Sequence, residues 1–233
     1  MKVLIAIVNA HSRLAYQQAI RDTWLPLVHG ADVKFFLGPS DRAPKDDEVF
    51  LKCDDAYLGL PSKVRAIMRW SSEHGYEHTL KCDDDVVLCP DKLLNSGFQS
   101  ADFVGHRNDI RPFPVPYGFC YWLSRKTMQL VAESELPRDG NDEVWVTRVL
   151  SQSGIALRHD PRYVMHSGRR EEFISTGQRV LRTRPLRIFA PHTPVASDAF
   201  ARCIHITWTG YHKLPEDRAI EEFKKVFADT QQR

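Results

Sequence analysis

Three consecutive carboxylates, Asp83-Asp84-Asp85, follow the strand-like run His78-Thr79-Leu80-Lys81-Cys82 and precede the apolar pair Val86-Val87. Side chains on an extended backbone alternate faces, so this spacing predicts Asp83 and Asp85 on one side and Asp84 on the other. Two carboxylates projecting together from a strand end make a hard-oxygen site for Mn²⁺ or Mg²⁺. Such a cation keeps open positions that suit a diphosphate. Acid runs also occur as solvated turns. Here apolar residues on both sides set the run in a packed pattern, where like charges repel unless a cation or basic groups neutralise them.

The surrounding elements must position these acids. Val3 to Val8 is a continuous apolar run, the pattern of a strand covered on both faces. A polar loop, Asn9 to Arg13, leads to a predicted helix carrying Ala15, Ile20 and Trp24. Val33 to Gly38 is the second strand and Val49 to Leu51 the third. Leu60, Val64, Ile67, Met68 and Ser71 follow helical spacing up to Gly75. The acids then end a βαβ alternation at a strand terminus, where open α/β sheets place their ligands.

Beyond Pro90 the rhythm is mixed. Asp102 to Gly105 reads as a short strand, and the prolines between Arg111 and Pro116 exclude a central strand there. Tyr117 to Leu123 is strongly β-prone. Ser124 is the expected N-cap of a helix burying Met128 and Val131. Asn141 is that of a helix burying Val146, Val149 and Leu150 and ending at Gly154. Ser167 to Ser197 lacks periodicity and reads as a lid or acceptor-binding loop. Cys203 to Trp208 returns as a strand, and Pro215 opens a last helix with Ile220, Phe223 and Phe227 inward.

The chain has 233 residues, 42% of them hydrophobic, enough for one sizeable domain or two intimately packed halves. A net charge of +2 argues against a nucleic-acid binder, which needs clustered Lys and Arg. The one basic cluster, Arg179, Arg182, Arg184 and Arg187, reads as a loop surface or an anionic-acceptor site. Five scattered cysteines without a CxxC pair indicate reduced thiols rather than a zinc site or a disulfide framework. The first apolar run is too short to span a membrane. Oligomeric state is not legible.

Six segments together resemble the β-1,3-galactosyltransferase family, glycosyltransferase family 31, which includes β-1,3-N-acetylglucosaminyltransferases and Fringe. They are Arg21-Asp22-Thr23-Trp24, Phe35-Phe36-Leu37-Gly38, Asp55-Ala56-Tyr57 with Leu60 and Lys63, Lys81 to Val86, Pro114 to Ser124, and Asp142-Glu143-Val144-Trp145-Val146. They keep the family's order across residues 13–150, and the resemblance fades after His166. It implies a GT-A fold, a Rossmann-like mixed sheet flanked by helices, in a single catalytic domain with residues 1–89 as its nucleotide-sugar-binding half and 90–233 as its acceptor-binding and catalytic half. It also implies a metal-dependent inverting transfer of a hexose (galactose or N-acetylhexosamine) from a UDP-sugar to a saccharide or glycolipid acceptor, forming a β-1,3 linkage. The animal members' membrane anchor is absent, which points to a soluble bacterial or viral relative in the cytoplasm, at most peripheral to the inner membrane. An excised catalytic domain would instead belong to the Golgi lumen.

The resemblance also distributes roles. Asp83 and Asp85 would hold Mn²⁺ or Mg²⁺, with a third ligand from a histidine: His212, which lies where the family places its histidine, or His205 or His166. Asp84 would contact ribose or a neighbouring basic group. Glu143, aligned with the family's second acid, would deprotonate the acceptor, with Asp142 as the alternative because the order is Asp-Glu rather than Glu-Asp. Both acids equally suit the N-terminus of their helix through its dipole. Asp55 and Tyr57 would hold the nucleotide, Lys63 a phosphate or a structural carboxylate, and Arg21 the donor pocket or a helix-end ion pair. Tyr121, Trp122 and Trp145 read as core. Two other classes stay open: a nucleotide-sugar or carbohydrate-binding protein without turnover, and a metal-dependent phosphohydrolase.

Overall fold

The computed structural model describes residues 1–108, 113–137, 141–165, 201–203 and 216–231. Its strands are β1 (Val3–Val8), β2 (Asp32–Leu37), β3 (Glu48–Phe50), β4 (His78–Asp83), β5 (Val86–Leu88), β6 (Phe103–Arg107), β7 (Pro116–Ser124), β8 (Arg158–His159), β9 (Tyr163–Met165) and β10 (Ala201–Cys203). Its helices are α1 (Leu14–Asp22), α2 (Leu60–Glu73), α3 (Pro90–Leu94), α4 (Arg125–Glu133), α5 (Asp142–Gln152) and α6 (Glu216–Gln231).

Seven strands form one mixed sheet in the order β3-β2-β1-β4-β7-β6-β8. Its first four strands are mutually parallel; β7 runs antiparallel to β4 and β6, and β8 is parallel to β6. The C-terminal ends of β1, β2, β4, β6 and β8 and the start of β7 therefore share one rim. The pairing of β4 with β7 carries the sheet across the division near residue 89. A second sheet, β5-β10-β9, begins just after the acidic run.

The apolar run of β1 explains the layering. Leu4 and Ala6 join a core built with Val64, Ile67 and Met68 of α2, Met128 and Val131 of α4, and Trp145, Val146 and Leu150 of α5. Val3, Ile5 and Ile7 join the opposite core with Ala19 and Ile20 of α1, Phe223 and Val226 of α6, and the residues of β5. Each buried Val, Leu, Ile, Met or Phe among them contributes about 1.5–3 kcal/mol. Gly75 and Gly154 take positive φ values, +77° and +71°, just past α2 and α5, the left-handed conformation that terminates a helix.

Several boundaries depart from the sequence reading. Trp24 lies beyond α1, where its indole N–H donates to the Val86 carbonyl at 3.1 Å and ties the first helix to the second sheet. Neither Ser124 nor Asn141 makes a side-chain cap bond. The Ser124 hydroxyl instead donates to Asp102 Oδ1 at 2.6 Å, because the end of β7 lies beside the start of β6. The expected strand over Cys203 to Trp208 begins earlier, at Ala201, and residues 204–208 lie outside the described residues. So do the lid segment 167–197 with its arginine cluster, and Pro215.

Candidate active site

β4 ends at Asp83, and Asp84 and Asp85 form the turn into β5. The simple alternation expected of the three acids therefore stops at the first. β1 and β4 are neighbours with Val8 opposite Asp83, so the loop after β1 falls beside this turn. From it Arg13 clamps Asp84: Nε donates to both carboxylate oxygens at 2.9 and 2.8 Å, and Nη2 to Oδ1 at 2.5 Å. Asn9 Nδ2 adds a bond to Asp84 Oδ2 at 2.7 Å, and is itself oriented by Gln17. Asp84 is buried and contacts a neighbouring basic group, one of the two partners expected of it. Burial pushes its pKa up despite Arg13. The guanidinium lies over the Tyr16 ring at 4.1 Å and reaches Asp85 Oδ2 at 3.9 Å.

On the other side of β4, Lys81 has no exposed surface. Its ammonium donates to Asp83 Oδ1 at 2.5 Å and to the Gly118 carbonyl, and lies 3.6 Å from Asp142 Oδ2. Burial opposes its charge, but Asp142 and Asp83 hold its pKa above the ordinary lysine value. Tyr121, next to Lys81 across the β4–β7 ladder, donates its hydroxyl to the same Asp142 oxygen at 2.8 Å. Asp142, 2% exposed, is thus fixed at the start of α5 by two groups of the sheet. The next residue, Glu143, is half-buried and lies over Gly118: a Cβ added there would come within 3.1 Å of Glu143 Oε2. The missing side chain lets the carboxylate settle on the rim. Desolvation raises the Asp83 pKa to about 7, with Asp85 and Asp142 adding to the rise and Lys81 opposing it.

The nucleotide-side candidates surround the ends of β1 and β2. Asp55 accepts the Gly38 N–H at 2.6 Å, the His11 N–H at 3.1 Å and the Lys63 ammonium. These partners lower its pKa against the effect of burial. Lys63 is buried and also donates to the Asn9 carbonyl at 2.7 Å, so its ammonium is held between Asp55 and the end of β1. Gly38 is required by closeness: a Cβ there would meet Asp55 Oδ1 and the Cys53 carbonyl at 2.9 Å each. Tyr57, on the single turn Tyr57–Gly59, is 69% exposed. Burial, Glu143, Asp142 and Asp83 raise its pKa, so it stands within the field of all three acids.

Arg21 stands apart from this rim. Its guanidinium donates to Asp47 twice at 2.8 Å, lies 3.6 Å from Glu48 and covers the ring of Phe35 in mid-strand. The helix-end ion pair is the contact it makes in the structure.

His166, His205 and His212 lie outside the described residues. Among the described residues no three His, Cys, Asp or Glu side chains gather as a complete metal cage. The donor set still fits Mn²⁺ or Mg²⁺, which are held by one or two carboxylates with water and substrate phosphate completing the shell. Asp83 and Asp85 are hard-oxygen donors; desolvation first, and then the charge of Asp85, disfavour an ionised Asp83, and a cation would offset both.

Arg13, Asn9, Gly118 and Tyr121 escaped the sequence reading, as did the bridging part played by Lys81. The signal for Lys81 was present: a lysine inside an apolar strand needs a buried counter-charge. Tyr121 was assigned to the core, and its ring is there, while its hydroxyl serves the site.

No family model and no curated protein matches the sequence. Among solved structures, a glycosyltransferase involved in glycosylation of the major capsid of PBCV-1 superposes with a TM-score of 0.55 at 11% identity, over 97% of this chain and 100% of that one. A protein designated a nucleotide-diphospho-sugar transferase from Desulfovibrio desulfuricans G20 superposes with a TM-score of 0.47 at 10% identity, over 67% and 78%. With the observed strand order, the first of these shows a GT-A-like fold.

Proposed function

We propose that this chain is an inverting glycosyltransferase that moves a hexose, galactose or an N-acetylhexosamine, from a UDP-sugar to a hydroxyl of a saccharide or glycolipid, forming a β-1,3 linkage. One observation supports the reading: Lys81 and Tyr121 join the acidic end of β4 to the acidic start of α5, so two groups of carboxylates stand together at one rim. The fold supports it, since open α/β sheets bind nucleotides at the C-terminal ends of their strands.

In this reading Asp83 and Asp85 hold Mn²⁺ or Mg²⁺, with His212 or another C-terminal histidine as the further ligand. When bound, the cation supplies Lewis-acid stabilisation of the charge on departing UDP. Asp55 and Tyr57 flank the nucleotide. Asp142 is spent on Tyr121 and Lys81 and acts as the anchor of α5. Glu143, aligned with the second acid of the family the chain resembles, is the base: its carboxylate takes the proton of the acceptor hydroxyl as the oxygen attacks the anomeric carbon and the bond to the diphosphate breaks. Lys81 keeps Asp83 and Asp142 from repelling one another and holds the β7 carbonyl that shapes the rim.

Incubation with UDP-sugars, Mn²⁺ and a glycan panel tests the reading. Transfer supports it; UDP binding without release of UDP from UDP-sugars identifies a binding protein, and hydrolysis of unrelated phosphoesters a phosphohydrolase. Glu143→Gln should keep donor affinity and lower kcat by about 10²–10⁴-fold. Loss of turnover in Asp142→Asn alone would exchange the two roles. Asp85→Ala should abolish metal-dependent UDP binding, and unchanged affinity rejects the metal assignment.

A further inference from the structure

Three cations meet carboxylates of the rim described above, and they differ in what they leave open. Lys81 and Lys63 expose 1% and 3% of their side-chain surface, and their ammonium groups are enclosed by the carboxylates and carbonyls they bond. Arg13 exposes 36%, while the Asp84 carboxylate that it clamps exposes 5%. This ion pair therefore has a buried anion and a cation that faces outward.

A guanidinium carries five N–H groups in one plane, and two of its edges each present a parallel pair. The Nε–Nη2 edge of Arg13 is taken by Asp84. The Nη1–Nη2 edge is not. Nη1 has no hydrogen-bond partner among the described residues, and Nη2 stands 3.9 Å from Asp85 Oδ2, beyond hydrogen-bond distance. The plane itself is held in place. The Tyr16 ring lies against the guanidinium at 4.1 Å, the Arg13 N–H donates to the Ala10 carbonyl at 2.9 Å, and the Arg13 carbonyl accepts from Asn9 Nδ2 at 3.2 Å. Little ordering remains for a ligand to impose.

Such an edge matches two oxygens of one phosphate or one carboxylate. Its place decides between them. Arg13 lies in the connection after β1, at the C-terminal ends of the strands, where open α/β sheets hold nucleotide phosphates. A diphosphate carries more negative charge than one divalent cation neutralises. A fixed positive group beside Asp85 offsets the remainder, and more strongly as charge develops on the departing diphosphate. We infer that the Nη1–Nη2 edge of Arg13 binds the diphosphate of the nucleotide donor directly. That the diphosphate belongs to a sugar donor rests on the transferase reading; the fit of the edge to phosphate does not.

Two variants test this without leaving Asp84 buried and unpaired. Arg13→Lys keeps a charge for Asp84 but lacks the planar fork. Arg13→Met combined with Asp84→Asn removes both charges, so the net charge of the chain is unchanged. Calorimetry measures UDP and inorganic pyrophosphate with Mn²⁺ present, Mn²⁺ is titrated separately, and urea denaturation checks that both variants are folded. The double variant should bind UDP and pyrophosphate about ten- to a hundredfold more weakly, and Arg13→Lys about three- to tenfold, with Mn²⁺ affinity kept. Full UDP affinity in the double variant overturns the contact and leaves the transferase reading standing. An equal loss of Mn²⁺ affinity also overturns it, because the effect then runs through the metal ligands. A parent chain that binds neither UDP nor pyrophosphate overturns the contact and the donor reading together. Arg13-dependent pyrophosphate binding without turnover of any UDP-sugar keeps the phosphate contact and removes the transferase.

Discussion

Replacing Lys81 with Met removes the ammonium while conserving most of the side chain's volume, so its cost isolates the charge. In the native protein that ammonium has no solvent contact, bonds Asp83 at 2.5 Å and lies 3.6 Å from Asp142, itself 2% exposed. Removing one partner of a buried pair leaves an uncompensated charge and costs about 3–5 kcal/mol. The pH dependence has a definite sign. Asp83 already titrates near 7 with the lysine in place, because of desolvation and the acids around it. Without Lys81 it rises further, so the variant tolerates protonated acids better than ionised ones. A carboxyl whose folded pKa is raised contributes stability at low pH that is lost as pH rises through that value. The variant's deficit should therefore be larger at about pH 8 than at about pH 5.5. Urea denaturation at both values measures it: with a slope of about 2 kcal/mol/M, the midpoint falls by roughly 1.5–2.5 M at the higher pH. Adding Asp142→Asn should return part of the loss as a coupling energy. A deficit below about 1 kcal/mol, or one that does not change with pH, would refute the bridging role given to Lys81.

Two further outcomes follow from local geometry. Gly118→Ala puts a methyl 3.1 Å from Glu143 Oε2, so it should lower kcat by at least about tenfold with UDP affinity kept, read by steady-state kinetics beside calorimetry. Glu48 is desolvated, which alone would raise its pKa, but Arg42, the Lys45 N–H and Arg21 bring it down to about 2. A lowered carboxylate contributes stability above its unfolded pKa that is lost as pH falls through the folded value, so Glu48→Gln should flatten the decline of the urea midpoint between about pH 5 and 2. An acid limb identical to the parent's excludes Glu48 as a contributor.

Much of the positioning frame was legible because it depends on short-range pattern. Val3 to Val8 reads as a doubly covered strand and is one, with alternate residues entering two cores. The helical spacing of Leu60 to Ser71 corresponds to α2, and the acids close β4 at the rim that α/β sheets use for ligands. The site was less legible. Alternation failed at Asp84 because the chain turns there, and the acid's partner in that turn is Arg13, seventy-one residues away in sequence. Arg21 matched a motif, yet its charge goes to Asp47, which nothing local announces.

Hydrophobic periodicity is a local quantity: each residue's apolarity and spacing decide its face whatever lies far off, so strand, helix and sheet class follow from the chain read in order. The acids of this protein are different, because a carboxylate's role is set by its partners in space. Asp83, Asp84, Asp142 and Glu143 are chemically near-identical in the sequence. Only folding gives one to Arg13, ties another to Tyr121 and Lys81, and sets a third against Gly118.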